Sequence, residues 1–268
     1  MGHIRKEYVG NNSIETAITH IGKYGAKGEK RAKRKKATPE QIKRQNQINR
    51  ENYVRRLIDR NFYPNDLWVT LKYPKGTRKP YKEVKKDFDN FIRRLRREYG
   101  KRCEELKYIY RIEIGSQGGI HIHLLLNRIE AADLLVQKQW GNLLNFTPLY
   151  SDGDFKKLAS YLVKPVIEDV NDEEYEQLEL FDHVEKDDIK SMSQYNPSRN
   201  LVKPEPATKE YKRRTVKKIV EEGPVARPGY YIDKGSVYMG VNPVTGMSYI
   251  YYTEIRLQTQ YREIKKKE

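Results

Sequence analysis

One cysteine in 268 residues, Cys103, excludes an intrachain disulfide and any cysteine-based zinc finger. No apolar run is long enough to span a bilayer, and the first residues lack the apolar core of a secretory signal, so the expected setting is soluble and cytoplasmic, with no membrane partner. No Gly-rich loop ending in Gly-Lys-Ser/Thr is present to cradle nucleotide phosphates, and no internal repeat marks a solenoid. Histidine is scarce, with five in all, and His3, His20 and His183 stand apart in polar surroundings. Positive charge, by contrast, is abundant. Lys and Arg number 53 against 37 Asp and Glu, a net charge of +16. Residues 168–188 hold eleven acidic side chains against Lys186 alone, so the rest of the chain is more basic still. That surplus favours a polyanionic partner, nucleic acid before a membrane surface.

Residues 1–38 are polar, Gly-dotted and end in the basic run 30–36, and read as a flexible basic arm. Pro39 opens a helix whose apolar positions are Ile42, Val54, Leu57 and Ile58 and which closes near Asn61. Leu67–Leu71 is a first strand. An amphipathic helix over 81–99 follows, with Val84, Phe88, Phe91, Ile92 and Leu95 at core spacing and Arg93, Arg94, Arg96 and Arg97 on its outer face, where they are candidates for phosphate contacts. Strands at 107–114 and 119–127, a helix at 130–140, a short strand at 146–150 and a helix ending at Lys164 complete the pattern. The order β-α-β-β-α-β predicts an α+β fold with a ferredoxin-like antiparallel sheet and packed helices. The organisation expected is arm 1–38, a domain over 39–165 with its leading helix, an acidic loop over 166–198, and a basic extension over 199–268. In that extension, strands near 230–239 and 247–255 form a Tyr-rich C-terminal β-hairpin.

His121-Ile122-His123 is the most informative triplet. Strand side chains alternate, so both imidazoles lie on one face of an otherwise apolar strand. A core has no need of two such rings, each requiring a hydrogen-bond partner, whereas a divalent metal does. If Ile114 pairs with Ile120 across the turn, Glu113 lies opposite His121, with Cβ atoms roughly 5 Å apart. Glu113 is then the third candidate ligand, and Mg²⁺ or Mn²⁺ suits the mixed nitrogen and carboxylate set. A cross-strand Glu–His pair without metal is the competing account of the same residues. Gln117 on the turn could ligate as well, but the favoured reading is a solvated turn residue.

In the helix ending at Lys164, Phe155, Leu158, Ala159 and Leu162 form the apolar stripe, while Lys157, Tyr161 and Lys164 share another face. A tyrosine off the core stripe between two lysines is a candidate nucleophile, since neighbouring cations favour phenolate and Lys164 can stabilise charge on a phosphate. Leu67–Leu71, His121-Ile122-His123 and Tyr161-Leu162-Val163-Lys164, in this order, resemble the three motifs of the HUH endonucleases. The resemblance covers roughly residues 65–165 and is nearest to the rolling-circle replication initiators of plasmids, small phages and single-stranded DNA viruses.

That resemblance implies a metal-dependent nick in single-stranded DNA at a replication origin, through a 5′-phosphotyrosine, leaving a 3′-OH to prime synthesis. It makes His121 and His123 metal ligands, Tyr161 the nucleophile and Lys164 its helper. With no helicase segment, unwinding and synthesis fall to a host helicase and polymerase. A relaxase or transposase using the same chemistry, or a nucleic-acid-binding protein without catalysis, are the alternative readings. Tyr230, Tyr231, Tyr238, Tyr249, Tyr251 and Tyr252 are available to stack on bases, but tyrosine is also simply a good strand residue.

Overall fold

The computed structural model describes residues 2–20, 37–77, 79–114, 119–150, 155–164, 192, 195–212, 216–241 and 248–264. In chain order the elements are β1 (His3–Val9), β2 (Ser13–His20), α1 (Pro39–Asn61), β3 (Leu67–Leu71), α2 (Tyr81–Gly100), β4 (Tyr108–Ile114), β5 (Ile120–Leu126), α3 (Ala132–Trp140), β6 (Leu144–Pro148), α4 (Lys156–Val163), β7 (Asn196–Pro197), β8 (Ala207–Tyr211), α5 (Lys217–Glu222), β9 (Tyr230–Ile232), β10 (Tyr238–Val241) and β11 (Ser248–Arg256). They form two compact units, one of residues 1–60, 152–156 and 202–260, the other of residues 61–151, 157–201 and 261–268.

The first unit corrects the reading of the N-terminus. Residues 3–20 are not a flexible arm but an antiparallel hairpin in a sheet ordered β10-β11-β2-β1-β8, with β9 also on β11. Ile14, Thr16 and Ile18 alternate as a fully buried face, and Ile18 packs with Ile250, Tyr252 and Val216. The turn of this hairpin is tied to α1. Asp59 accepts from the backbone N–H groups of Asn12 and Ser13 and from the Ser13 hydroxyl. Gly10 makes room for it, because a Cβ there would sit 1.8 Å from the Asp59 carboxylate. Of the expected Tyr-rich hairpin the second strand is β11, but the first is broken into β9 and β10, which both pair with β11, and β11 also continues the sheet onto β2. Helix α1 therefore belongs with the terminal strands rather than at the head of the domain that follows it. The basic run 30–36 and most of the acidic segment lie outside the described residues.

The second unit has the expected β-α-β-β-α-β order, and its strands run β6-β3-β5-β4, the order of a ferredoxin-like sheet, with the short β7 added beside β4. Every pairing is antiparallel. Alternation divides the sheet cleanly. Leu67, Val69, Leu71, Ile112, Ile122 and Leu124 point to one face, where Phe88, Phe91 and Leu95 of α2 and Leu135, Val136 and Trp140 of α3 cover them. The other face carries Trp68, Thr70, Arg111, Glu113, His121 and His123. Among the described residues no helix is long and apolar enough to cross a membrane.

Candidate active site

The antiparallel register of β4 and β5 places Ile114 against Ile120, Glu113 against His121 and Arg111 against His123, as expected from the sequence. Thr70 of β3 faces His123 from the other side. Glu113 Oε1 lies 3.3 Å from His121 Nε2 and 3.5 Å from His123 Nε2. The two rings meet edge to face, with centroids 4.8 Å apart. One donor atom from each of Glu113, His121 and His123 falls within 4.8 Å of the others. Two imidazole nitrogens and a carboxylate oxygen converging on one point can hold a metal ion, and the donor set fits an oxygen-tolerant divalent ion.

Helix α4 supplies the fourth group. Leu158, Ala159 and Leu162 are buried, and this fixes the helix so that the half-buried Tyr161 turns its ring onto the sheet. Its hydroxyl donates to Glu113 Oε2 at 3.0 Å and lies 2.5 Å from His123 Nε2. Thr70 Oγ1 lies 3.3 Å from the other ring nitrogen of His123. Trp68 stacks on His123 at 5.5 Å and 11°, and meets the Tyr161 ring edge-on at 6.0 Å. Five side chains, from Thr70 to Tyr161, thus share one hydrogen-bonded cluster.

Arg111 fastens the helix to the strand. It is 3% exposed, and its Nη1 donates to the carbonyls of Tyr161 at 2.9 Å and Leu162 at 3.2 Å, and also to that of Lys164. A guanidinium satisfies several of the orphan carbonyls at a helix C-terminus and opposes the negative end of its dipole. Its Nε lies 3.7 Å from Glu113, so one buried cation links helix α4 to the carboxylate.

The electrostatics correct one expectation. Burial pushes the Tyr161 phenol up, and the Glu113 charge and its hydrogen bond push the same way, against a smaller opposite pull from Arg111. Neighbouring lysines do not prepare a phenolate. Lys157 and Lys164 are exposed, and the backbone carbonyl of Lys164 is what the structure ties to the site. For Glu113, burial opposes ionisation, but hydrogen bonds from His121 and His123 outweigh it and hold the carboxyl well below the usual range. Glu113 is therefore an anion, suited to hold a cation rather than to take up a proton.

Cations near the site are Lys72 and Lys75, which line a small cleft with His121, and Lys157 beside Tyr161. The four arginines at 93–97 sit on α2, across the sheet from this face, and cannot serve the same bound phosphate. Gln117 lies outside the described residues. Sequence reading missed the role of Arg111, although an arginine on the site face of a buried strand was itself the signal. It also missed Trp68 and Thr70, which strand alternation places beside the histidines.

Residues 66–168 match the family model Replication-associated protein ORF2/G2P. No curated protein and no solved structure matches the chain. The matching segment begins one residue before β3 and ends beyond α4, so it contains every residue of this cluster. The match supports a replication initiator family and a part for the protein in DNA replication.

Proposed function

We propose that the protein is a metal-dependent nickase and strand transferase of the HUH type, acting on single-stranded DNA at a replication origin to start rolling-circle synthesis. The observation that supports this best is the Tyr161 hydroxyl held against Glu113 and His123 within a segment similar to replication-associated proteins. His121, His123 and Glu113 would hold Mg²⁺ or Mn²⁺, which when bound supplies Lewis-acid polarisation of a phosphate oxygen. The chain itself supplies the nucleophile and its orientation.

Tyr161 gives up its proton as its oxygen forms a bond to phosphorus and the bond to the 3′ oxygen breaks. In balance, the phenol proton ends on the departing 3′ oxygen, giving a free 3′-OH and a 5′-phosphotyrosine. The raised phenol is consistent with a proton that leaves during attack rather than beforehand. Lys164 and Lys157 would neutralise the strand's phosphates from the exposed side of α4. Incubation with single-stranded DNA from its own replicon, followed by mapping of ends and adducted peptide, tests the proposal. A DNA that is bound and never cut would defeat it. A host helicase and polymerase would complete the replication reaction.

Arg111 positions the nucleophile rather than touching substrate, and its replacement separates the two roles. Arg111→Lys keeps the charge but loses the rigid planar guanidinium, whose Nη1 meets the carbonyls while its Nε stays beside Glu113. We expect kcat to fall by ~10²-fold, the scale of a misplaced reacting group, with KM nearly unchanged. A KM rise at constant kcat would place Arg111 in substrate binding instead.

Binding should be dominated by phosphate charge. Deleting the chain through residue 36 would also remove β1 and β2 from the centre of their sheet, so the cleaner variant neutralises the six cations of the run 30–36. We expect a steep salt dependence whose slope falls by ~0.7 for each phosphate that the run no longer neutralises, equally for all sequences. An unchanged slope would remove the run from the DNA-binding surface.

A further inference from the structure

Beside Tyr161 the site face opens into a cleft of about 320 Å³, whose walls include Trp68, Thr147, Pro148, Tyr150, Lys157 and Tyr161. The sequence builds it by simple alternation. Thr147 pairs with Trp68 across β6 and β3, so both project onto the site face, and Tyr150 follows just past the end of β6. Lys157 and Tyr161 lie one turn apart on α4 and close the opposite wall. Trp68 spans the two places: it stacks on His123, meets Tyr161 edge-on, and also lines the cleft.

This cleft differs from the metal-ligand cluster in chemistry. Its walls are aromatic rings, a proline and aliphatic side chains, with the Thr147 hydroxyl as a polar contact and an exposed lysine at the rim. The volume falls at the low end of small-ligand sites. A flat group with apolar faces, attached to an anion, is the ligand such walls select. The Tyr161 ring is common to the cleft and the cluster, so an occupant of the cleft is adjacent to whatever phosphate Tyr161 attacks.

We propose that the cleft takes the base of a nucleotide next to the attacked phosphate, with Lys157 on the phosphate beyond it. The inference rests on the nickase reading above and adds to it a base subsite that holds the strand for attack. A paired and stacked base cannot enter, so the cleft also explains why the substrate must be single-stranded at that point. Stacking on aromatic walls tolerates any base, and the Thr147 hydroxyl adds a preference among them.

The test is a double-mutant cycle on the full chain. The probe is a single-stranded oligonucleotide from the nicked region, with one abasic residue walked through the positions flanking the nick. Binding is read by fluorescence anisotropy and cutting on a gel. In the unaltered protein one flanking position should lose ~10-fold in affinity when made abasic. In Tyr150→Ala that same loss should largely vanish, because the stacking partner is gone, and Tyr150→Phe should restore it. Tyr150 is 38% exposed, so neither change threatens the fold. If Tyr150→Ala and the abasic residue act additively at every flanking position, the base subsite is wrong even when cutting is normal. DNA that shows the coupling but is never cut sinks the nickase reading and leaves the base subsite standing.

Discussion

Tyr161→Phe should abolish both nicking and the covalent adduct while leaving DNA affinity within about twofold. The change removes one oxygen from a half-buried ring whose packing against Trp68 and His123 is otherwise kept. The lost hydrogen bonds to Glu113 and His123 should cost stability on the order of 1–3 kcal/mol, because the buried His123 is left short of a partner. The phosphate contacts proposed for the lysines would be untouched. Activity is a different matter. With no oxygen to bond phosphorus, the fall should reach several orders of magnitude, as when any covalent nucleophile is removed. Mass spectrometry of the trapped adduct should place DNA on the peptide containing Tyr161, joined through the 5′ phosphate. The adduct keeps the energy of the phosphodiester, so an acceptor strand with a free 3′-OH should reverse the step and give a joined product. Full nicking by the Phe variant, or an adduct on another of the 21 tyrosines, would overturn the assignment.

The same tyrosine marks what a sequence can and cannot reveal. Strand periodicity located β3, β4 and β5, and one assumed pairing, Ile114 with Ile120, brought Glu113 to His121 with no further information. Local rules suffice there because a short turn fixes register and register fixes every facing pair. Helical periodicity likewise separated Tyr161 from the apolar stripe of α4. What failed was everything that depends on how distant elements pack. The Arg111 contact with three carbonyls of α4 exists only once that helix lies over β4. The direction of the Tyr161 shift was misjudged for the same reason. Lys157 and Lys164 are near in sequence but exposed, whereas the Glu113 charge is 48 residues away and within hydrogen-bond reach. The hairpin of β1 and β2 was missed because its strands are polar and are held by β8 and β11, whose residues lie some 200 positions further along the chain.

Chelation should extinguish nicking, and His121→Ala should do so even with Mg²⁺ or Mn²⁺ restored. His121 is the better ligand to replace, because His123 also packs against Trp68 and Tyr161 and its loss would disturb both. Removing one of three protein donors should weaken Mn²⁺ binding by more than the ~10–100-fold typical of changes to the residues that merely orient ligands. The reading does not need catalysis. A metal that binds only the folded protein stabilises it by ~2.7 kcal/mol at a hundredfold excess over its dissociation constant, so Mn²⁺ should raise the melting temperature of the unaltered chain measurably. The rise should shrink in His121→Ala and in Glu113→Gln, which removes the anionic donor while keeping its shape. In Tyr161→Phe the rise should be at least as large as in the parent, because the phenol lies 2.5 Å from His123 Nε2 and no longer competes for that nitrogen. An equal Mn²⁺ response in the parent, His121→Ala and Glu113→Gln would mean that the ion binds elsewhere. The cluster of Glu113, His121 and His123 would then be a hydrogen-bonded support for Tyr161 alone, and nicking that survives EDTA would agree with it.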